Sequence, residues 1–566
     1  LMQHYGFAHA ALNPGSSFRG LHDSMVNYGG DRPRMLLCPH EEIAVQIAHG
    51  YAKATGEPMV AILHDVVGLL HAGMAIYYAY IDRAPVFIVG ATGPLDQAKR
   101  RPRIDWIHTA NVQGNAVRDF TKWDDQPATI DGVPDSFCRA YDIMMTEPRG
   151  PIYLCYDAGL QESPLKAPVG MPPQGAPWAP TPMAGEPAAL AKAAEMLVGA
   201  KNPVILAEFG GGREGGFEDL VKLAEAVGAA VWDVNSRLNF PSRHPLNMSM
   251  VDGAFADADL VVCLDVLDWE RPTTTLNKTK RQTASLVPGD CKWIDIGFAN
   301  IGIGSWAMDY QRLRHADLRI LADTVTAVPE LTRRCRSLIR QDARRQRRKA
   351  RRAAKLAGRH QAARRKWRKE AQAHWNESPI ALPRLAAEVG EAIEGEDWVL
   401  SANTLRGWAR KLWDFDRPYR HPGKSLGTAT QIGISLGVAL AHKGTGRLVV
   451  DFQPDGDLMF DLGALWIAAK HDIPLLVVMF NNRAYYNDWE HQILMARLRG
   501  TPEKRAHIGM DLYGPEPDFA GVARSLGWYG EGPIENPQDI SAALGRAVAR
   551  VKKGQPALID VITQKR

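Results

Sequence analysis

The sequence predicts an α/β protein of three doubly wound domains with parallel sheets. Two observations carry this reading. Apolar runs such as Met59 to Leu63 and Leu475 to Phe480 are short and continuous rather than alternating, as expected of strands buried on both faces. Each run stops at a polar or glycine-rich cluster and is followed by a stretch at helical spacing, the rhythm of βαβ units. A length of 566 residues fits three domains of roughly 150 each.

Composition narrows the class further. The 45% hydrophobic content is that of an ordinary globular protein, and no apolar run approaches the ~20 residues of a membrane helix. The six cysteines show no CxxC spacing, which fits a reduced cytoplasmic location better than disulfides or zinc. The chain opens at Leu1 in what reads as a helix, so a preceding segment is expected. Net charge is +5, but 18 Lys and Arg against the single acid Asp342 fall between Arg333 and Lys369, leaving the rest of the chain acidic.

The first domain is expected over 1–166. An apolar segment from Ala10 runs into a turn at Asn13-Pro14-Gly15-Ser16. From Cys38 to Gly56, Ile43, Ile47 and Tyr51 repeat at helical spacing with Ala44 and Ala48 between them. Glu41 and Glu42 lie in that helix's first turn, where its dipole favours carboxylates; taken alone, an acid there is a cap. The strand Met59 to Leu63 ends at His64-Asp65. A histidine at a strand's carboxyl end suits proton transfer near neutrality, the alternative being a loop histidine satisfied by backbone. Another strand spans Pro85 to Gly90, His108-Thr109 follows in the run WIHTANVQ, and a strand at 151–157 closes the domain.

Residues 167–187, rich in Pro, Gly and Ala, read as a linker. The pattern restarts in a middle domain, 188–332, with a strand from Pro203 into Gly210-Gly211-Gly212, a helix at 216–227 and strands at 229–234 and 259–266. It is Rossmann-like, but no GxGxxG is present, so the reading is a structural spacer, with nucleotide binding as the alternative. The basic block, 333–372, is rich in helix formers and is expected to be a helical connector. Its charge admits a solvated face, a site for acidic groups such as the phosphates of coenzyme A, or nucleic-acid and subunit contacts; no nucleic-acid fold accompanies it.

The last domain, 373–566, holds the strand Trp398 to Ser401, followed by Ala402-Asn403-Thr404. The run Leu448 to Val450 leads into Asp455-Gly456-Asp457, and Leu475 to Phe480 stops at Asn481-Asn482. Two parallel strands would place both clusters at carboxyl ends, where open α/β sheets bind ligands. Asp455 offers a carboxylate and Asn482, 27 residues on, an amide oxygen, hard ligands that suit Mg²⁺. The alternative is an ordinary βαβ unit with polar strand ends.

Together these segments resemble the thiamin diphosphate-dependent enzymes of the benzoylformate decarboxylase and acetolactate synthase group. Asp455-Gly456-Asp457 and Asn481-Asn482 look like the family's GDG and NN, with Pro454 in place of the first glycine, and His40-Glu41 followed by Gly50-Tyr51-Ala52 looks like its HE…GYA segment. NPGS at 13–16, Leu63-His64 and ALWIAA at 464–469 look more like benzoylformate decarboxylase than acetolactate synthase. The resemblance implies pyrimidine-binding, middle and diphosphate-binding domains that use thiamin diphosphate and Mg²⁺. It puts Asp455, Asn482 and the carbonyl of Ala484 on the metal. Asn403, Thr404, Gly456, Asp457, Asn482 and Tyr485 would hold the cofactor. Glu41 would hydrogen-bond N1′ of the aminopyrimidine and promote loss of the C2 proton. His64, His108 and Glu490 would move protons, and Ser16, His64 and Tyr486 would face substrate.

Departures from the pattern are His71, where relatives usually have Asn, and Leu267-Asp268-Trp269-Glu270, where benzoylformate decarboxylase has a second pocket histidine. The implied activity is cleavage or formation of a C–C bond on a 2-oxo acid. Alternatives are a 2-hydroxyacyl-CoA lyase with the same cofactor and, more remotely, a non-catalytic or nucleic-acid-binding relative. The family is dimeric or tetrameric, its active sites at the subunit interface.

Overall fold

The structure is a computed structural model that describes residues 1–173, 180–298, 300–301 and 315–565. Part of the expected linker, 174–179, lies outside these. The first domain is a six-stranded parallel sheet of β1 (His9–Leu12), β2 (Arg34–Leu37), β3 (Met59–Leu63), β4 (Val86–Thr92), β5 (Asp124–Asp125) and β6 (Ile152–Asp157), in the order β2-β1-β3-β4-β6-β5. β3 and β4 are buried throughout, which explains their unbroken apolar sequence. The chain winds to one side from β1 and to the other from β3. The crevice between their carboxyl ends is therefore a topological switch point. Residues 1–6 form hydrogen-bonded turns rather than the expected helix.

The middle domain contains β7 (Pro203–Ala207), β8 (Ala230–Asp233), β9 (Leu260–Leu264), the antiparallel hairpin β10 (Thr274–Asn277) and β11 (Gln282–Ser285), β12 (Lys292–Gly297) and β13 (Leu318–Leu321). Its parallel sheet runs β13-β12-β9-β7-β8, with a switch point between β9 and β7. That crevice, where a Rossmann-like domain takes its nucleotide, is filled from the first domain. Arg83 reaches Asp265 at 2.7 Å, and its guanidinium lies 4.5 Å from the centre of the Phe209 ring.

The third domain orders β14 (Trp398–Leu400), β15 (Leu448–Pro454), β16 (Leu476–Asn481), β17 (Tyr529–Ile534) and β18 (Ala557–Ile562) as β14-β15-β16-β18-β17, all parallel. It packs on the first domain through two helices, Glu41–Thr55 and Gln431–His442. Glycines permit the crossing: a Cβ at Gly50 would collide with the Ile434 carbonyl oxygen, and one at Gly437 with that of Ile47.

The basic block forms two helices, Thr324–Arg340 and Ala343–Ala373, broken where Asp342 caps the second by accepting the N–H groups of Arg344 and Arg345. Arg352, Leu356, His360, Arg364, Trp367 and Ala371 make one buried stripe at helical spacing, so only the outer face is solvated. Arg352 donates to Gly228 O at 2.7 Å, to Lys201 O at 2.9 Å, and to Ala200 O and Val227 O. These carbonyls terminate the helices Pro187–Gly199 and Gly216–Val227, whose negative dipole ends the cation satisfies.

Candidate active site

β15 and β16 pair in register up to Pro454 and Phe480, which brings Asp455 beside the turn after Asn481. Asp455 is buried, and its Oδ2 accepts the N–H of Ala484 at 3.2 Å. Burial pushes its carboxyl up to about 6, opposed by backbone N–H groups that include those of Gly456 and Asn482. The two asparagines have different tasks. Asn481 Oδ1 accepts the N–H of Arg483, and its amide donates to Asp560 at 3.0 Å, so its side chain serves the fold. Asn482 Oδ1 is buried with no hydrogen-bond partner. A buried carboxylate beside an unsatisfied amide oxygen fits a hard divalent cation, which would satisfy both.

The surrounding turn is tightly packed. A Cβ on Gly456 would lie 2.7 Å from the Tyr485 ring. Asp457 draws in the loop before helix Gln431–His442: its Oδ1 accepts the Ala429 N–H at 2.6 Å and its Oδ2 the Gln453 amide at 3.1 Å. Asn403 donates to Gln431 Oε1 at 3.2 Å, and Gln431 donates to Asp451 at 2.9 Å inside β15. Thr404 adjoins Asn403 after β14, in a segment where Leu405 and Arg406 adopt positive φ.

In the first domain Glu41 is buried at the start of its helix, and its Oε2 meets His71 Nδ1 at 3.1 Å. Gly68 makes room for it, since a Cβ there would lie 2.9 Å from the Glu41 side chain. Glu42, one residue on, faces the third domain. Burial and the nearby Asp461 push its carboxyl up to about 7. Gln46, one turn on, donates to Ala429 O at 2.7 Å and to Asp461 at 3.2 Å.

His64 lies at the switch point, its Nδ1 2.9 Å from Ser17 Oγ and its Nε2 3.2 Å from Asp65. Burial lowers its pKa, which Asp65 partly restores. The His108 ring stands edge-on to it at 5.7 Å. Ser16 is exposed at this turn, while its buried neighbour Ser17 makes the contact. Tyr486 packs edge-on against Trp489, and Glu490 pairs with Lys278 of the β10–β11 hairpin at 2.9 Å. The site residues thus form two main groups: Asp455, Gly456, Asp457, Asn482, Ala484 and Tyr485 in one, with Asn403 joined through Gln431, and His64 with His108 in the other. Glu41 is close enough to His64 to raise its pKa. Sequence reasoning did not single out Ser17, Gln46, Gln431 or Asp451. Polar residues inside apolar runs and helix faces, as Asp451 and Gln46 are, were the available signal.

Comparison with known proteins identifies the architecture. Residues 1–117, 190–304 and 403–561 match, respectively, the N-terminal TPP binding, central and C-terminal TPP binding domains of thiamine pyrophosphate enzymes. A benzoylformate decarboxylase of Pseudomonas aeruginosa is 24% identical over 100% of this chain and 97% of its own. A probable acetolactate synthase large subunit of Methanocaldococcus jannaschii is 23% identical over 97% of this chain and 88% of its own. The crystal structure of benzoylformate decarboxylase from Polynucleobacter necessarius superposes with a TM-score of 0.76 at 18% identity, covering 100% of this chain and 97% of that one. Three matched domains in the family's order make this chain a member of the thiamine pyrophosphate enzymes.

Proposed function

We propose that the chain binds thiamin diphosphate through Mg²⁺ and breaks or forms a C–C bond beside the carbonyl of a 2-oxo acid. The observation that carries this is the unsatisfied, buried Asn482 Oδ1 next to buried Asp455. Asp455, Asn482 and Ala484 would hold the metal, and Asn403, Thr404, Gly456, Asp457 and Tyr485 the diphosphate end. When bound, the cofactor supplies an electron sink for the pair released as the bond next to the carbonyl breaks. Glu41, desolvated against Gly68 and His71, holds a proton at the aminopyrimidine. His64 and His108 move protons at the substrate, and Ser16 and Tyr486 border it. Glu490 would join them on release from Lys278.

Glu41 meets groups of its own domain, whereas Glu42 and Gln46 face the third domain of the same chain. This supports a site completed by a second copy, in a homodimer or homotetramer. The relatives named above fit a 2-oxo acid as substrate. The test is thermal stability with thiamin diphosphate and Mg²⁺, separately and together. A ligand bound only by the native state stabilises it by about 2.7 kcal/mol at a hundredfold excess over Kd, and so raises the midpoint with concentration. Wild type should be stabilised by the pair and Asp455→Ala should not. If wild type does not respond, the reading fails.

A further inference from the structure

Beyond the cofactor site, we propose that His64, Asp65 and His108 form a second cation site, for a borderline transition ion of the Zn²⁺ type. The three residues combine two imidazoles and one carboxylate, a ligand set that suits Zn²⁺ and its neighbours rather than Mg²⁺. Their ligand atoms all lie within 4.8 Å of one another. Asp65 Oδ2 is the hub, 3.2 Å from His64 Nε2 and 3.9 Å from His108 Nδ1. Ligands about 2.0–2.1 Å from a tetrahedral ion stand roughly 3.3 Å apart, so small side-chain rotations suffice.

The supporting groups are already in place. Asp65 Oδ1 accepts the Val67 N–H at 3.2 Å, which leaves Oδ2 toward the imidazoles. Ser17 Oγ fixes the His64 ring from its far side at 2.9 Å, the outer hydrogen bond that ligating histidines characteristically carry. Asp65 has φ of +33°, a strained left-handed conformation for a non-glycine residue. The neighbouring cation Arg101 is paired with Asp105 at 2.7 Å and does not compete for Asp65. His64 is largely covered, while the His108 side chain is 30% exposed, so the fourth position opens outward.

A rival cluster, His40, Glu41 and His71, is less suited. His40 Nδ1 already accepts the Glu42 N–H at 3.2 Å, and its ring stacks on His71 at 4.9 Å.

The site is tested by titrating chelator-treated protein with Zn²⁺ by calorimetry, and with Co²⁺ by its visible absorption. Excess Mg²⁺ keeps oxygen-only sites filled. Wild type and His71→Ala should each take one Zn²⁺ per chain. His108→Ala should bind more weakly by a factor of about ten or more, as should Asp65→Asn where it folds. His108 is partly exposed, so that variant should fold, which a melting curve checks. The proposal is overturned if His108→Ala binds as wild type does, or if His71→Ala abolishes binding. On the catalytic reading above, Zn²⁺ would withdraw both imidazoles from proton transfer and inhibit. The binding result stands whether or not that reading does.

Discussion

Asp451 shows how one buried group can govern pH behaviour. It lies fully buried in β15, with one oxygen bonded to Gln431 and the other, Oδ2, without a partner. Burial pushes its carboxyl from the usual 3.8 up to about 8, against the pull of Gln431. The folded state therefore keeps a proton that the unfolded chain releases. The resulting stabilisation is complete below about pH 4 and is lost as pH rises to about 8. Melting temperatures of the cofactor-free protein should fall across that window, and Asp451→Asn should flatten the fall. A wild-type slope retained in the variant would assign it to other groups. Glu41→Gln keeps the shape of a buried side chain but removes its acid. It should melt near wild type, still bind the cofactor and lose roughly 10²–10⁴ in kcat, measured on the best 2-oxo acid substrate.

Among the elements, the crossing of Glu41–Thr55 and Gln431–His442 joins the first and third domains of the chain. Gly50 and Gly437 let the backbones touch, and Gln46 bridges the gap to Ala429 and Asp461. Gly50→Ala would force a methyl into the Ile434 carbonyl and spread the helices. The clash should cost about 1–3 kcal/mol in denaturant unfolding, against which alanine's better helix propensity returns about 1 kcal/mol. Sequence periodicity located the Glu41 helix well. It could not show that the small residues of its GYA segment serve a helix crossing, since the partner lies almost 400 residues away. Two edge strands were also illegible. β2 has only four residues, and β17 is interrupted by Gly530, Gly532 and Pro533, so neither shows the longer apolar run that marks β3 or β16.

Across the molecule, Asp82 ties the three domains together. It pairs with Lys53 at 2.6 Å and His49 at 2.8 Å in the first domain and with Arg237 at 2.8 Å in the middle one. Lys53 also donates to Lys424 O of the third domain at 2.7 Å. Burial alone would raise the Asp82 carboxyl, but Arg237, Lys53 and His49 hold it far below the ordinary range. Asp82→Asn leaves two buried cations uncompensated, which costs about 3–5 kcal/mol. Calorimetry should then show a lower and broader transition, the middle domain separating from the others. A sharp transition at the wild-type temperature would refute the role. The basic helix acts at the same scale, since Arg352 clasps the ends of two middle-domain helices. Much of the charge that suggested an acidic partner lies beside a stripe serving the fold.

Sequence alone was enough for the three α/β domains, the Asp455–Asn482 pair and the Glu41 segment. In each case the signal is local: buried strands need continuous apolar runs, and a strand–helix–strand unit brings its two polar ends together within about thirty residues. Folding in three dimensions was needed to separate Asn481 from Asn482, to set Ser17 rather than Ser16 against His64, and to fill the middle domain's crevice with Arg83. It also built the Asp82 and Arg352 junctions. Those contacts join residues tens to hundreds of positions apart, and their partners are selected by packing between domains, which no local pattern encodes.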